Sequence, residues 1–422
     1  MIKTRFGYTL LLYTLLPSVL WHLLWRARRQ PAYLGNVPER FGFYKQRWTR
    51  PLIWVHAVSV GESRAAAPLV RALQEKYPEH RILLTHMTPT GSEAGEALFG
   101  DSVVRCYLPY DYPGAVARFL EHFKPQVGIL METEIWPNLI HGCRRRNIPL
   151  YLVNARLSEK SLARYRRFAE LARTSLRELA AIAAQTRDDA GRLAALGAEN
   201  VVVSGNLKFD IEPPADQLEL GKTWRKSYGA DRPVLLAAST RDGEEEMLLD
   251  ALRRTDARSL LTVIVPRHPQ RFDEVAALLG RRGIRFQRRS SNAAIVPETQ
   301  VVLGDSMGEM FAYYAACDIA FVGGSLLPFG GQNLIEACAA ATPVWVGPHT
   351  YNFAEATELA IASGAAVRVA DANELVREAQ RLLSERSAVA RMAEAARNFS
   401  RAHQGATART LELLEWEAES GE

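Results

Sequence analysis

The sequence is poor in cysteine and lacks the patterns in which cysteine usually binds metal. Its 422 residues include four cysteines, Cys106, Cys143, Cys317 and Cys338. No two of them form a C-x-x-C pair, and their spacing matches no zinc site. We therefore expect four reduced, buried thiols in a cytosolic protein, with a structural disulfide as the alternative.

Other recognisable patterns are also missing. The chain has neither the G-x-G-x-x-G fingerprint nor a P-loop, and no nucleic-acid-binding motif accompanies its basic residues. Basic residues follow the N-terminal apolar run where a signal peptide would need a cleavage site of small residues, which argues against a cleaved signal peptide. What remains is a globular composition with 48% hydrophobic and 23% charged residues and a net charge of +5. The length predicts two or three domains.

An apolar run of 20 residues, Phe6–Trp25, contains no acidic or permanently charged side chain. It is long enough to cross a hydrocarbon core of roughly 30 Å. Lys3 and Arg5 precede the run, and a denser basic group follows it. The positive-inside rule then places everything after Trp25 in the cytoplasm.

We interpret this run as a segment that attaches the protein to the membrane. A helix that spans the membrane is the form that we favour. Pro17 and His22 leave open a helix that lies in the membrane interface, and a buried helix packed on the soluble domain is the plainer alternative. The basic side chains that follow favour an anionic membrane surface over nucleic acid. They are Arg26, Arg28, Arg29, Arg40, Lys45, Arg47 and Arg50.

From Leu52 onward, short apolar segments alternate with helical ones, which predicts parallel sheets covered on both faces. The predicted strands are Leu52–Val58, Arg81–Met87, Val103–Pro109, Val127–Glu132, Pro149–Asn154, Ala181–Gln185, Val201–Gly205, Val234–Thr240, Ser259–Val265, Ile284–Gln287, Gln300–Asp305, Ile319–Gly324, Thr342–Gly347 and Ala365–Val369.

A stretch rich in proline, glycine and charge interrupts the alternation at Ile211–Pro233. We interpret it as a linker between two doubly wound α/β domains that face a cleft. The expected parts are an N-terminal anchor (1–30), a first domain (31–210), the linker (211–233) and a second domain with a helical tail (234–422). Ligands of such sheets bind outside the carboxyl ends of the strands, so residues just after strands are the candidates for function.

In the first half, acids and a lysine follow predicted strands. Glu62 lies in a strand-to-helix turn, where it either favours the helix dipole or acts as a general base. Glu132 and Glu134 follow another strand beside Trp136, which is unusual for plain packing. Lys208 adjoins the interruption and either reaches a ligand or is an ordinary surface lysine.

In the second half, three turns stand out. Pro266–Pro269 places Arg267 and His268 at a strand end, where a guanidinium can hold a phosphate. Gly304–Met310 places Gly308 and Glu309 at a helix start, or else serves only as a helix cap.

The third turn, Asp318–Glu336, is rich in glycine and leads from a strand to a helix predicted to open near Asn333. Its glycines allow close approach of a ligand, and the helix start favours an anion. Glu336 can accept hydrogen bonds from a sugar hydroxyl. An ordinary strand-to-helix connection is the alternative.

These segments resemble the Kdo (3-deoxy-D-manno-octulosonic acid) transferases that build the inner core of lipopolysaccharide. The resemblance covers nearly the whole chain. It is carried, in order, by ERFGFY, HAVSVGE, MTPTGSE, LPYD, METEIWPN, NARLS, GNLKFD, VPRHP, GDSMGEM, FVGGSL, GQNLIEA and GPHTYNF.

The resemblance implies an α/β GT-B fold and inverting transfer of Kdo from CMP-Kdo to the lipid A precursor lipid IVA. It implies that Glu62 is the proton acceptor and that Glu132 and Lys208 support the transition state. The CMP-binding residues that it implies are Pro266, Arg267, Met307, Gly308, Glu309, Asn333, Leu334, Ile335 and Glu336.

We expect no cofactor, because the donor itself carries the group that is transferred. We expect no metal either, because the donor has a single phosphate and no carboxylate pair suggests a cation site. The expected location is the cytoplasmic side of the inner membrane, with no nucleic-acid partner. A GT-B enzyme that uses another nucleotide sugar and a non-catalytic membrane-bound sensor of nucleotide or lipid are the alternatives.

Overall fold

The computed structural model describes residues 4–45, 48–229, 231–255 and 259–414. The chain divides into two compact units. Residues 1–210 form the first unit together with the segment from Gln404 onward, and Ile211–His403 form the second. Each unit is built around one parallel sheet.

The sheet of the first unit has seven parallel strands in the order β3-β2-β1-β4-β5-β6-β7. The strands are β1 Leu52–His56, β2 Arg81–His86, β3 Val103–Tyr107, β4 Val127–Met131, β5 Leu150–Ala155, β6 Ala181–Ala184 and β7 Val201–Val203. The helices are α1 Arg5–Arg29, α2 Val60–Lys76, α3 Pro89–Phe99, α4 Pro113–Phe123, α5 Pro137–Arg144, α6 Glu159–Tyr165, α7 Ala169–Arg177, α8 Arg187–Ala195 and, from the C-terminal end, α17 Ala406–Leu413.

The second unit also has seven parallel strands, in the order β10-β11-β9-β8-β12-β13-β14. They are β8 Val234–Thr240, β9 Leu261–Pro266, β10 Phe286–Arg288, β11 Val301–Leu303, β12 Ile319–Val322, β13 Val344–Val346 and β14 Ala366–Arg368. Its helices are α9 Ala215–Tyr228, α10 Glu244–Arg254, α11 Phe272–Arg281, α12 Met310–Ala316, α13 Ile335–Ala339, α14 Ala354–Ala362, α15 Ala372–Leu383 and α16 Arg386–His403. Every strand predicted from the sequence is confirmed, most of them shorter by one to three residues.

The central strands are buried on both faces, which is why they read as continuous apolar runs in the sequence. All residues of β1 and β4 are buried. In β1, Trp54 belongs to one apolar cluster of the first unit and Ile53 and Val55 to another. Helices therefore cover this sheet on both sides, and only the turns at the strand ends remain for polar chemistry.

Two parts of the expected division differ from the structure. Most of the expected linker is α9, because Trp224 on its apolar face is buried and its ring packs 4.8 Å from that of Tyr313. The end of the helical tail belongs to the first unit, since Ala406 and Leu414 join an apolar cluster of the first sheet. The sequence predicts a helical tail from about Asn373 to Ala418, and Ala418 lies outside the described residues.

Helix α1 is, within the described ranges, the helix that is long and apolar enough to cross a membrane by length and composition. Most of its side chains are exposed, including Phe6 and Trp21, so a fully buried helix is the wrong interpretation. Its N-terminal half nevertheless forms hydrogen bonds with other elements of the first unit. The Thr9 hydroxyl donates to Asn138 at 3.1 Å, and the Tyr112 hydroxyl donates to the carbonyl of Leu12 at 3.1 Å.

One member of the predicted basic region is not available to a membrane. Arg40 is buried, donates to the carbonyl of Met87 and lies 4.3 Å from the ring centre of Tyr107. Arg47 lies outside the described residues. The four cysteines are unpaired, and all but Cys317 are fully buried.

Gly128 in β4 tests how tightly this core is packed. A Cβ atom there would lie 2.5 Å from Leu150 and 2.8 Å from Trp54. We expect Gly128→Ala to lower the free energy of unfolding by about 1–3 kcal/mol through overpacking. Gly191→Ala in α8 is the matched control, because a Cβ there meets open space, and it should stabilise by about 0.5–1 kcal/mol. Urea denaturation followed by tryptophan fluorescence measures both, and equal effects would contradict the packing argument.

Candidate functional site

The strand order of the first sheet places β1 directly beside β4. These neighbours connect outward in opposite directions, to β2 and to β5, and such a switch point is where ligands bind in open α/β sheets. Glu62 follows β1, and Glu132 and Glu134 follow β4. The structure thus brings the three predicted acids to the same edge of one sheet.

Glu62 lies in the first turn of α2, and its carboxylate bends back over the start of the helix. One oxygen accepts the backbone N–H of Val58 at 2.8 Å, and the other accepts the Ser59 hydroxyl at 3.0 Å. The Ser59 side chain in turn caps the helix by accepting the N–H of Glu62. This geometry differs from a capping box, because the carboxylate accepts the N–H of Val58 rather than that of the N-cap residue Ser59. A carboxylate in the first turn also fits the helix-dipole interpretation of Glu62.

The same carboxylate is unusually hard to ionise. The pKa of Glu62 is raised to about 7: burial is the main cause, the neighbouring Glu132 and Glu134 carboxylates add to it, and the bonds from Val58 and Ser59 oppose it. A carboxylate with a pKa near neutrality exchanges protons readily at physiological pH. Interaction with the helix dipole and proton transfer are therefore compatible roles for this residue.

Glu132 and Lys208 form an ion pair. The Lys208 Nζ lies 3.1 Å from Glu132 Oε1, and both side chains are about one-third exposed or less. Glu132 adopts a left-handed backbone with φ of 58°, which is strained for a residue other than glycine. Such strain persists where the surrounding structure holds it, and functional sites are where it concentrates.

Amide side chains hold the turn that carries Lys208. Buried Asn154, at the end of β5, accepts the N–H of Leu207 at 3.0 Å. Asn206 accepts the N–H of Lys208 and donates to Gln185 at 3.0 Å. The sequence interpretation gave these amides no role. An asparagine or glutamine directly after a strand is the signal that could have identified them.

Glu134 has a different partner from Glu132. Its Oε2 accepts the indole N–H of Trp136 at 2.6 Å, and burial raises its pKa. The Trp136 ring contacts the ring of His56 edge-on, with 6.4 Å between the centres. His56 is fully buried, and its Nδ1 is hydrogen-bonded to the Thr85 hydroxyl. Burial lowers the pKa of His56 to about 3, so its imidazole is neutral.

In the second unit, Pro266 ends β9 and Arg267 begins the turn. The N–H of Arg267 donates to the carbonyl of Thr240 at 3.0 Å. Its guanidinium Nε donates to Gln332 at 3.1 Å, and the N–H of Gln332 donates to the carbonyl of Gly323 at 3.0 Å. The predicted arginine is therefore connected to the glycine-rich turn.

Positive charge accumulates around this arginine. The pKa of His268 is lowered by burial first, and then by Arg241, Arg267 and Arg271. The part of this lowering that comes from the arginines indicates a region of positive potential around His268. A phosphate is the kind of group that such a region attracts.

A buried acid that the sequence interpretation missed holds the glycine-rich turn in place. The Glu244 carboxylate accepts four backbone N–H groups. They are those of Arg241 at 2.8 Å, Gly324 at 2.6 Å, Ser325 at 3.0 Å and Leu326 at 3.0 Å. Burial raises the pKa of Glu244, although these bonds lower it. The acidic run after β8 was the available signal.

The helix after this turn starts later than predicted and is short. Helix α13 begins at Ile335 rather than near Asn333 and has five residues. The Asn333 side chain accepts the N–H of Ile335 at 3.0 Å and donates to Glu336 at 3.1 Å. Leu334 and Ile335 are buried and apolar. Within this segment, Asn333 and Glu336 are therefore the residues whose side chains can hydrogen-bond a ligand.

The third segment, Met307–Glu309, has its own partners. Glu309 pairs with Arg289 at 3.0 Å, and the carbonyl of Gly308 accepts from Gln217 at 2.8 Å. Gly308 has φ of 79°, and Met307 is exposed.

The capping alternative for this turn is wrong. Among the residues that the structure describes, the side chain that accepts an N–H at the start of α12 is that of Gln217, which accepts the N–H of Phe311 at 3.2 Å, and not that of Asp305 or Ser306. Asp305 instead accepts from the backbone and hydroxyl of Ser290.

The described ranges contain no group of three or more histidine, cysteine, aspartate or glutamate side chains arranged to hold a metal ion. The chain has two α/β units, each built on a seven-stranded parallel sheet with polar turns at the strand ends. This architecture is the GT-B class of fold. A solved glycosyltransferase from Rickettsia africae has a similar structure, with a TM-score of 0.57 over 87% of this chain and 98% of that chain. It is 14% identical and so bears on the fold alone.

Sequence comparison narrows the class to a family. Residues 35–211 match the model for 3-deoxy-D-manno-octulosonic-acid transferase (kdotransferase), and residues 279–399 match glycosyl transferases group 1. A 3-deoxy-D-manno-octulosonic acid transferase of Bordetella pertussis is 46% identical over 97% of this chain and 98% of its own. One of Haemophilus influenzae is 41% identical over 97% and 98%. The chain belongs to the 3-deoxy-D-manno-octulosonic acid transferase family and is a glycosyltransferase, which confirms the predicted family, fold and enzyme class.

Glu244 offers a test of how the glycine-rich turn is held. In Glu244→Gln, an amide N–H₂ would replace one acceptor oxygen and face backbone donors. We expect this change to lower the free energy of unfolding by about 2–3 kcal/mol and to weaken binding of CMP. Glu246→Gln in the same helix is the control, because Glu246 is exposed. Urea denaturation and titration calorimetry with CMP measure the two effects, and unchanged stability of the Glu244→Gln variant would contradict this role.

Proposed function

We propose that this enzyme transfers Kdo from CMP-Kdo to the lipid A precursor lipid IVA, with inversion at the anomeric carbon. The observation that carries the proposal is the half-buried Glu62 carboxylate at the switch point of the first sheet, whose pKa of about 7 suits a general base. The Lys208–Glu132 ion pair at the same sheet edge adds a cation beside it.

In the proposed reaction, Glu62 takes the proton from the primary hydroxyl of the acceptor. The hydroxyl oxygen forms a bond to the anomeric carbon of Kdo as the bond from that carbon to the CMP phosphate oxygen breaks. CMP leaves with the electron pair of the broken bond. Lys208, oriented by Glu132, offsets negative charge that develops during this step.

The second unit would bind the donor through its CMP group. Arg267 and the positive region around His268 suit the single phosphate, whose charge is stabilised by guanidinium donors. The Asn333–Glu336 pair offers both an amide and a carboxylate to the ribose hydroxyls. Pro266 and Met307–Glu309 complete the proposed CMP-binding segments.

We infer that α1 attaches the protein to the inner membrane from the cytoplasmic side. The contacts of Thr9 and Leu12 with the first unit favour a helix that lies in the membrane interface rather than one that spans. The reason is geometric: the basic end of α1 continues into the same unit that its N-terminal half touches. The exposed face, with Phe6, Trp21 and Trp25, is apolar and aromatic, as in-plane helices are.

Mass spectrometry of lipid IVA tests the proposed reaction. Incubation with CMP-Kdo should add whole Kdo mass increments, and UDP-sugars should add nothing. Glu62→Gln should keep CMP-Kdo binding and lower transfer by about 100- to 10,000-fold, because the amide cannot accept the proton.

Glu75→Gln in the same helix is a control that should transfer normally. Transfer from a UDP-sugar by the wild-type enzyme would contradict the donor assignment. Transfer at the wild-type rate by the Glu62 variant would contradict the base assignment alone.

The orientation of α1 can be tested by labelling Thr4→Cys in intact cells with a membrane-impermeant maleimide. An in-plane helix keeps residue 4 on the cytoplasmic side, so we expect labelling only after lysis. Glu121→Cys, at an exposed position of α4, reports the cytoplasmic side in parallel. Labelling of residue 4 in intact cells, with residue 121 unlabelled, would show that α1 spans.

A further inference from the structure

Glu134 is near enough to the proposed base for its charge to act on Glu62, yet the proposed chemistry does not use it. It follows Glu132 by two residues, at the end of the strand that pairs with β1. Trp136 fixes its carboxylate through the 2.6 Å hydrogen bond, and the ring of Trp136 contacts His56, the last residue of β1. The turn that carries Glu62 starts from this same strand end, so Glu134 is anchored to the elements that place Glu62.

The charges around Glu62 are not balanced. Lys208 pairs with Glu132 at 3.1 Å, although the charge of Glu132 still raises the pKa of Glu62. In the part of the chain that the structure describes, no lysine or arginine pairs with Glu134. His56 contributes no positive charge, since burial keeps it neutral. When it is ionised, which burial opposes and the Trp136 N–H favours, Glu134 therefore adds a second negative charge that no lysine or arginine of the described residues pairs with.

A residue of α6 also faces this carboxylate. Burial raises the pKa of Tyr165, and the charge of Glu134 raises it further, while Arg164 lowers it. Arg164 lies 5.9 Å from the ring centre of Tyr165. The neutral phenol of Tyr165 therefore lies on this side of Glu134. The guanidinium of Arg164, in the same helix, lies over the Tyr165 ring.

We propose that Glu134, held by Trp136, is a positioning residue whose negative charge, together with burial and Glu132, helps to set the pH range in which Glu62 accepts the proton. This inference rests on the proposed function, because it requires Glu62 to be the base. A like charge disfavours ionisation of a neighbouring carboxyl group. Glu134 therefore keeps Glu62 a stronger base than an ordinary glutamate at that position would be.

The direction in which the pH profile of transfer should shift follows from these charges. Glu62 works only when it is ionised, so transfer declines as the pH falls through the pKa of Glu62. Removing the charge of Glu134 lowers that pKa, and the acid limb of the pH profile moves to lower pH. A direct contact with the acceptor would instead reduce transfer at every pH, and a purely structural role would reduce stability.

The test is the pH dependence of kcat/KM for Kdo transfer by the full-length enzyme. We expect the acid midpoint of Glu134→Gln to lie roughly half to one pH unit below that of the wild type. The glutamine oxygen still accepts from Trp136, so the fold is preserved. Glu134→Asp keeps the charge and should keep the midpoint near the wild-type value. Glu121→Gln, at an exposed and distant glutamate, should leave the profile unchanged.

The outcomes separate this inference from the proposed function. An unshifted midpoint in Glu134→Gln, or an equal loss at all pH values, would overturn the role of Glu134. If Glu62→Gln is inactive in either case, the base assignment stands. If Glu62→Gln instead keeps the wild-type profile, the base assignment fails, whatever Glu134 does.

Discussion

All strands of both sheets run parallel, and the candidate sites depend on this constraint. Parallel strands place their carboxyl ends on one edge, so turns distant in the chain meet there. Lys208 reaches Glu132 across 76 positions of sequence in this way. The crossover helices that parallel strands require also supply the first turn of α2, which holds Glu62. The same constraint connects Arg267 to the glycine-rich turn in the second unit.

Each unit holds a carboxylate at such an edge, Glu244 in the second unit and Glu62 in the first, and the two differ in how many hydrogen-bond donors surround them. Four backbone N–H groups surround Glu244, which makes it a fixed support for a turn. Glu62 has one backbone donor and one hydroxyl, and it faces two other carboxylates. Four N–H donors favour the charged form of a buried carboxylate, whereas a carboxylate with fewer donors and two like charges nearby gains a proton more readily. The degree of compensation therefore distinguishes a structural acid from a candidate base.

The strands and the functional turns were predictable because both follow from local pattern. Buried parallel strands are short apolar runs, and the polar residues just after them mark the ligand edge. The misjudged segments were those whose placement depends on distant partners. The composition of α9 suggests a linker, but Trp224 finds a partner in Tyr313. The chain end follows the second unit in sequence, yet Ala406 packs with the first.

The sequence by itself determined the family, the fourteen parallel strands and the identity of Glu62, Glu132, Lys208 and Arg267 as candidates. It did so because apolar periodicity and motif order are properties of neighbouring residues. Only the tertiary structure decided which of these side chains meet, how much each is buried and which charges remain uncompensated. The pKa of Glu62 and the setting of Glu134 belong to that second group. Desolvation and Coulomb interactions depend on distances through space, which the order of residues along the chain does not specify.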